Sequence, residues 1–196
     1  MTKIQIFDVK NILEYEKERD AFRDRIIALK KRRRVAVGDV VTFLFESRDT
    51  VLFQIQEMVR AERIVDPAKI QEEIDVYAEL LPDRRTLAVT MFIEIEDQSN
   101  IKRDLERFLG ITAIGIVYIQ IGDDLRVNAD FEGGREEEEA GKVAAVQYGR
   151  FHFGEAEHQA FTAGKLPVKL VIAHPNYQNQ TVLPAETLSE LRKDMV

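Results

Sequence analysis

A chain of 196 residues, 45% apolar and 32% charged, has the composition of a globular protein, because disordered chains lack the apolar content that offsets ordering entropy. It contains no cysteine, which excludes disulfides, thiolate zinc sites, cysteine-ligated iron–sulfur clusters and a cysteine nucleophile in this chain. The net charge of −7 is uneven: residues 1–82 carry 15 basic and 16 acidic side chains and residues 83–196 carry 13 and 19, so the acidic second part repels nucleic acid and confines anion binding to a local patch in the first.

The N-terminus has no basic region leading into an apolar core, so no secretory leader is expected. Asp8 is placed to cap a helix that runs to about Arg34, with Ile12, Leu13, Phe22, Ile26, Ile27 and Leu29 near one stripe. Acids gather early in it and Lys30 to Arg34 close it, which suits both ends of the helix dipole. Gly38-Asp39 then joins Val35–Val37 to Val40–Phe45 as a hairpin. Ser47 is the expected N-cap of a second helix, with Val51, Leu52, Ile55, Met58, Val59 and Ala61 on its buried side. Asp66-Pro67, a capping carboxylate followed by proline, starts a third helix whose apolar face is Ile70, Ile74, Tyr77, Leu80 and Leu81.

Beyond Pro82 the period changes to two. Leu87, Val89, Met91, Ile93 and Ile95 alternate along a strand over 86–96. A short helix over 101–109 ends at Gly110, and strands over 114–121 and 125–131 are joined by Gly122-Asp123-Asp124. The run from Ile111 to Ile121, broken by Thr112, Gly115 and Gln120, falls short of the ~18 residues of a membrane span, so no membrane association and a cytoplasmic location are expected. Glu136 to Glu139 form an acidic loop, followed by a strand over 143–153, a helix over 155–163 stopped by Gly164, strands over 168–173 and 180–182, and a terminal helix opened by Pro184. The expected architecture is α+β, a helical N-terminal part with a small hairpin (1–82) packed on a mainly antiparallel sheet in a strand-rich part (83–196), the two forming one compact unit.

The segment Phe45 to Ile64, together with Phe22-Arg23, Lys30 to Val35, Glu72-Glu73, Tyr77, Leu80 to Pro82, Phe92 to Ile95, Ala145 to Tyr148 and His174 to Tyr177, resembles the bacterial family catalogued as domain of unknown function 3501. The resemblance spans nearly the whole chain. It implies a setting in which the genes lie beside those of rubrerythrin-like and Fe–S heterodisulfide-reductase-like proteins. That setting points to electron transfer or peroxide defence, with a protein partner of Fe–S or rubrerythrin-like type. It assigns no catalytic residue.

The densest polar cluster lies in the same segment: Glu46, Arg48, Gln54, Gln56, Glu57, Arg60 and Arg63, with Glu62 between them. Amide, carboxylate and guanidinium groups in one stretch suit a small polar ligand or a partner surface, and Arg60 offers a planar fork for a carboxylate or phosphate. The plainer alternative is a solvated helix face or an internal ion-pair network. Lys30, Lys31, Arg32, Arg33 and Arg34 are a weaker anion-binding candidate, since no aromatic residue interleaves with them for stacking on single strands. A histidine three residues after an acid, Glu155 and His158, occurs once, whereas a di-iron bundle needs it twice, so no metal is expected, and no motif requires a cofactor. There is no nucleophile elbow, phosphate loop or dinucleotide fingerprint. The leading expectation is a non-catalytic accessory or interaction protein whose acidic Glu136–Glu139 loop could meet a basic partner. The second is a small-molecule-binding protein or enzyme using the polar cluster. A homodimer is the default for a chain of this size.

Overall fold

The computed structural model describes residues 3–95, 99, 101–131 and 143–195, and the acidic loop at Glu136 to Glu139 lies outside them. Among the described residues the α-helices are α1 (Ile12–Arg33), α2 (Arg48–Ala61), α3 (Pro67–Ala78), α4 (Ile101–Glu106), α5 (Glu155–Ala163) and α6 (Ala185–Asp194). The strands are β1 (Arg34–Val37), β2 (Val41–Phe45), β3 (Thr86–Ile93), β4 (Val117–Ile121), β5 (Leu125–Asp130), β6 (Val146–His152), β7 (Val168–His174) and β8 (Tyr177–Val182). The fold is α+β. All eight strands form one antiparallel sheet in the order β1-β2-β3-β6-β5-β4-β7-β8.

The alternation read from the sequence decides which face is inside. Val35, Phe43, Val89, Phe151, Ala129, Ile119 and Leu170 come from seven different strands and meet in one dry interior. The sheet curls until its two edges face each other. Tyr177 on β8 donates its hydroxyl to the carbonyl of Val37 (2.8 Å) and accepts from the Val40 amide (3.2 Å), and Thr181 donates to the carbonyl of Ala36 (2.7 Å). Side-chain hydroxyls thus sew the barrel-like sheet shut. Gly38 turns there with φ +79°, and a Cβ would run into the Tyr177 hydroxyl, so this turn needs glycine on both counts. Phe161 of α5 with Leu191 and Met195 at the end of α6 also join the interior.

The helical front end lies outside the sheet. β2 is buried along its whole length, as a strand covered on both faces should be. Ile4, Val51, Ile55, Val59 and Ile74 form a second, smaller core under the N-terminal segment, α2 and α3. Ser47 caps α2 as expected, its hydroxyl accepting from the Thr50 amide while the Thr50 hydroxyl accepts from the Ser47 amide. Asp66 caps α3 with Pro67 in its first turn. One expectation is corrected. The cap of α1 is Asn11, which accepts from Glu14 N, and Asp8 instead ends a single 3-10 turn, its carboxylate taken by the Gln5 amide and by Arg48. The stripe also shifts: Leu13 and Ile27 are exposed, and Tyr15 and Ile26 are the buried apolar residues of α1.

Candidate functional site

The polar cluster sits where α2 meets α1 and the N-terminal segment, and the fold separates its members. Glu46 is buried just ahead of α2, accepting from the hydroxyls of Thr50 (2.5 Å) and Thr90 (2.6 Å). Arg48 pairs with Asp8 at 2.7 Å. Gln56 clips the N-terminal segment, accepting from Lys10 N (2.9 Å) and donating to the Lys10 carbonyl (2.8 Å). Such two-way amide pairing satisfies a backbone stretch that lacks a ladder of its own.

Glu57 is the hub. Arg19 of α1 grips both its oxygens at 2.8 Å, the hydroxyl of buried Tyr15 donates to it at 2.7 Å, and Arg60 stands at 3.5 Å while reaching Glu16 at 3.4 Å. The Arg19 hydrogen bonds, followed by that of Tyr15, hold the Glu57 carboxyl down to about 2 against the pull of burial. Burial, reinforced by Glu57, pushes the Tyr15 phenol up. Gln54 Oε1 is buried with no hydrogen-bond partner among the described residues. Arg63 stands apart at the end of α2 in the left-handed region, φ 55°, where the Ile64 amide returns to the Val59 carbonyl in a Schellman closure that usually employs glycine. Glu46, Arg48, Gln56, Glu57 and Arg60 therefore brace the junction of α2 with α1, the sheet and the N-terminal segment, and the seven residues do not converge on one point.

Lys30, Arg32, Arg33 and Arg34 of the basic run are also engaged, and Lys31 is exposed. Lys30 lies 5.8 Å from the Phe53 ring centroid, and Arg32 reaches Glu190 (3.4 Å) and Glu186 (3.9 Å). Arg33 is buried, donating to the carbonyls of Phe45 and Glu46 at 2.8 Å and pairing with Asp194 of α6. Arg34 pairs with Glu94 at 3.4 Å and covers the Phe92 ring. Burial outweighs Arg33 at Asp194 and pushes that carboxyl up. The histidines are far apart in role: His152 meets Thr86 (3.2 Å), His158 the Met195 carbonyl (3.0 Å) and His174 the Leu109 carbonyl (2.9 Å). No three acidic or histidine side chains come together in a metal-binding group among the described residues.

A groove of 550 Å³ runs along α1, closed at one side by α2 and at one end by the N-terminal segment. On α1 it is lined by Tyr15, Glu18, Phe22, Arg25, Ile26, Ala28, Leu29 and Arg32, and all of these but Ile26 and Ala28 recur every three and four residues. Asp49, Leu52 and Gln56 repeat that spacing on α2. The two helices run antiparallel, with Tyr15 beside Glu57 and Phe22 edge-on to Phe53 at 5.6 Å. Phe22, Ile26, Leu29 and Leu52 make an apolar floor, and Lys10, Glu18, Arg25 and Asp49 a charged rim. Of the cluster only Gln56 touches this groove. The signal that could have found it, the three-and-four spacing on α1, was in the sequence but is half masked by Glu18, Arg25 and Arg32. A second cleft, of 510 Å³, lies among Asp83, Arg84, Arg85, Glu155 and His158, where Arg85 already pairs with Glu155. No helix among the described residues is long and apolar enough to cross a membrane.

The family description "Protein of unknown function (DUF3501)" matches residues 3–195. A solved structure, the crystal structure of a novel protein of unknown function from Burkholderia pseudomallei K96243, is 31% identical over 100% of both chains and superposes with a TM-score of 0.91. No curated protein matches the chain. The fold is thus shared from end to end with that structure, and with the sequence match over all but the terminal residues, this chain belongs to the DUF3501 family.

Proposed function

We propose that this chain is a non-catalytic accessory protein that acts by binding another protein, in a bacterial electron-transfer or peroxide-defence setting where the partner carries the redox centre. The observation that carries the reading is the groove beside α1, whose apolar floor and charged rim have the anatomy of a protein-binding surface. A cysteine-free chain leaves thiol and thiolate-cluster chemistry to the partner. Fe–S or rubrerythrin-like proteins are the partners that the family resemblance suggests.

Affinity purification of the tagged chain from native cells grown with and without peroxide tests this. Enrichment of an Fe–S or rubrerythrin-like protein is the expected result. Recovery of no such protein under either condition would overturn the reading. The alternative, a small molecule held by Glu46, Arg48, Gln54, Gln56, Glu57, Arg60 and Arg63, draws less support, since Gln56 lines the groove while Arg63 lines a separate cleft, and Glu57 and Arg48 are spent on Arg19 and Asp8.

A further inference from the structure

We propose that residues 3–10 form a strap that lifts from α2 and α3 as one unit while the rest of the fold stays closed, with Gln56 and Arg48 as its catches. The device belongs to the helical end of the molecule and is independent of what the chain binds. Among the described residues, the main chain of 3–10 makes no hydrogen bond to the main chain of any other part of the fold. Its bonds from Asp8 N to the Gln5 carbonyl (2.9 Å) and from Val9 N to the Ile6 carbonyl (3.2 Å) close on the strap itself. A segment without a ladder to its neighbours opens at a lower free energy than the sheet it lies beside.

Side chains hold the strap down. Gln56, only 2% exposed, spends its amide on the main-chain N–H and carbonyl of Lys10. Arg48 pairs with Asp8 at 2.7 Å, where both side chains are partly exposed. Ile4 alone of residues 3–10 is buried, joining Val51, Ile55, Val59 and Ile74, and the turn at Ile6–Asp8 rests against α3. The polar groups that lifting frees pass into water, which pairs them again, so the opening leaves none of them orphaned. The C-terminal helix shows the contrast. α6 sends Leu191 into the barrel interior, Met195 follows it there, and Asp194 is tied to buried Arg33.

The hinge lies at Lys10–Asn11. Asn11 caps α1 through the Glu14 amide, and Tyr15 and Arg19 are bonded to Glu57. Helix α1 therefore keeps its start and its hold on α2 when the strap leaves. Lifting takes Ile4 and the partial cover of Val9 from the second core, and it opens the end of the groove that Asp8 and Lys10 line. The helical end thus has a closed form and a form with more apolar surface, and the two catches set their ratio.

Hydrogen exchange of the full-length chain, followed by NMR through a series of low urea concentrations, tests this together with timed trypsin cleavage after Lys10. In the wild type the Lys10 amide should exchange at least about a hundredfold faster than that of Met91 in β3, with little dependence on urea. Gln56→Ala should speed cleavage at Lys10 by about tenfold and Asp8→Asn by roughly two- to threefold, and the cleaved chain should keep the wild-type far-UV circular dichroism. Lys10 exchange that coincides with that of Met91 at every urea concentration would overturn the strap. So would an unchanged cleavage rate in a folded Gln56→Ala variant, or loss of the circular dichroism signal on cleavage. Should Gln56→Ala not fold, the wild-type urea series decides by itself.

Discussion

Replacing Glu57 with glutamine isolates the interaction that ties α1 to α2. The substitution keeps the shape of the side chain but removes the charge that Arg19 grips with two hydrogen bonds and that Tyr15 also serves. A carboxyl held at about 2 instead of its ordinary 4.5 corresponds to about 3 kcal/mol at neutral pH. The side chain is 25% exposed, so solvent screening reduces this, and we take about 1.5 kcal/mol as the expected loss. The folded-state value is the depressed one. The contribution is therefore complete above pH 4.5 and disappears as pH falls toward 2, where wild-type Glu57 becomes protonated and resembles glutamine. Urea titrations followed by far-UV circular dichroism at pH 7, 5, 4 and 3 would measure the gap between the two proteins. It should be widest at pH 7 and 5, smaller at pH 4 and smaller again at pH 3. A gap that stays constant down to pH 3, or none at pH 7, would refute the argument that ionised Glu57 is the brace.

Removing Asp194 leaves Arg33 charged and buried with only two carbonyls for company, so Asp194→Ala should cost about 3–5 kcal/mol, read as a lowered urea midpoint. Tyr177→Phe strips the Val37 carbonyl and the Val40 amide of their partner at the closure of the sheet. The expected cost is about 1–3 kcal/mol, with faster hydrogen exchange at the Val40 amide and unchanged exchange in α2. Arg63→Gly relieves a left-handed arginine at the end of α2 and should raise stability by about 0.5–1 kcal/mol, and a lowered melting temperature would show that the Arg63 side chain contributes more than its backbone costs.

Local structure was legible wherever one residue type settles the matter. Asp66 with Pro67, and Ser47 ahead of its apolar stripe, start helices because they satisfy backbone amides that nothing else can reach. The alternation from Leu87 to Ile93 predicts a strand with one buried face, and the structure puts that face in the main core but buries Thr86, Ala88 and Thr90 on the other face too. Asp8 misled because a carboxylate caps equally well a few residues early, and only the contact with Arg48 of α2 shows where it is used. The closure of the sheet was not legible. It depends on Tyr177 meeting Val37, residues far apart in sequence, and no local pattern encodes such a pairing. The polar cluster was readable as a set of residues but not as an arrangement, because the partners of Glu57 and Gln56 lie on α1 and the N-terminal segment. The groove escaped notice because charged residues occupy half of its seam.

The hydroxyl-sewn junction between β1 and β8 has a consequence for how this protein behaves at high concentration. A terminal strand with free amides and carbonyls is a template on which another chain can add, the usual first step toward fibres and swapped oligomers. Here each terminal strand hides the other, and the Tyr177 and Thr181 hydroxyls occupy carbonyls that an incoming strand would seek. Two side chains near the C-terminal end of the sequence thereby guard the molecule against sticking to its own kind.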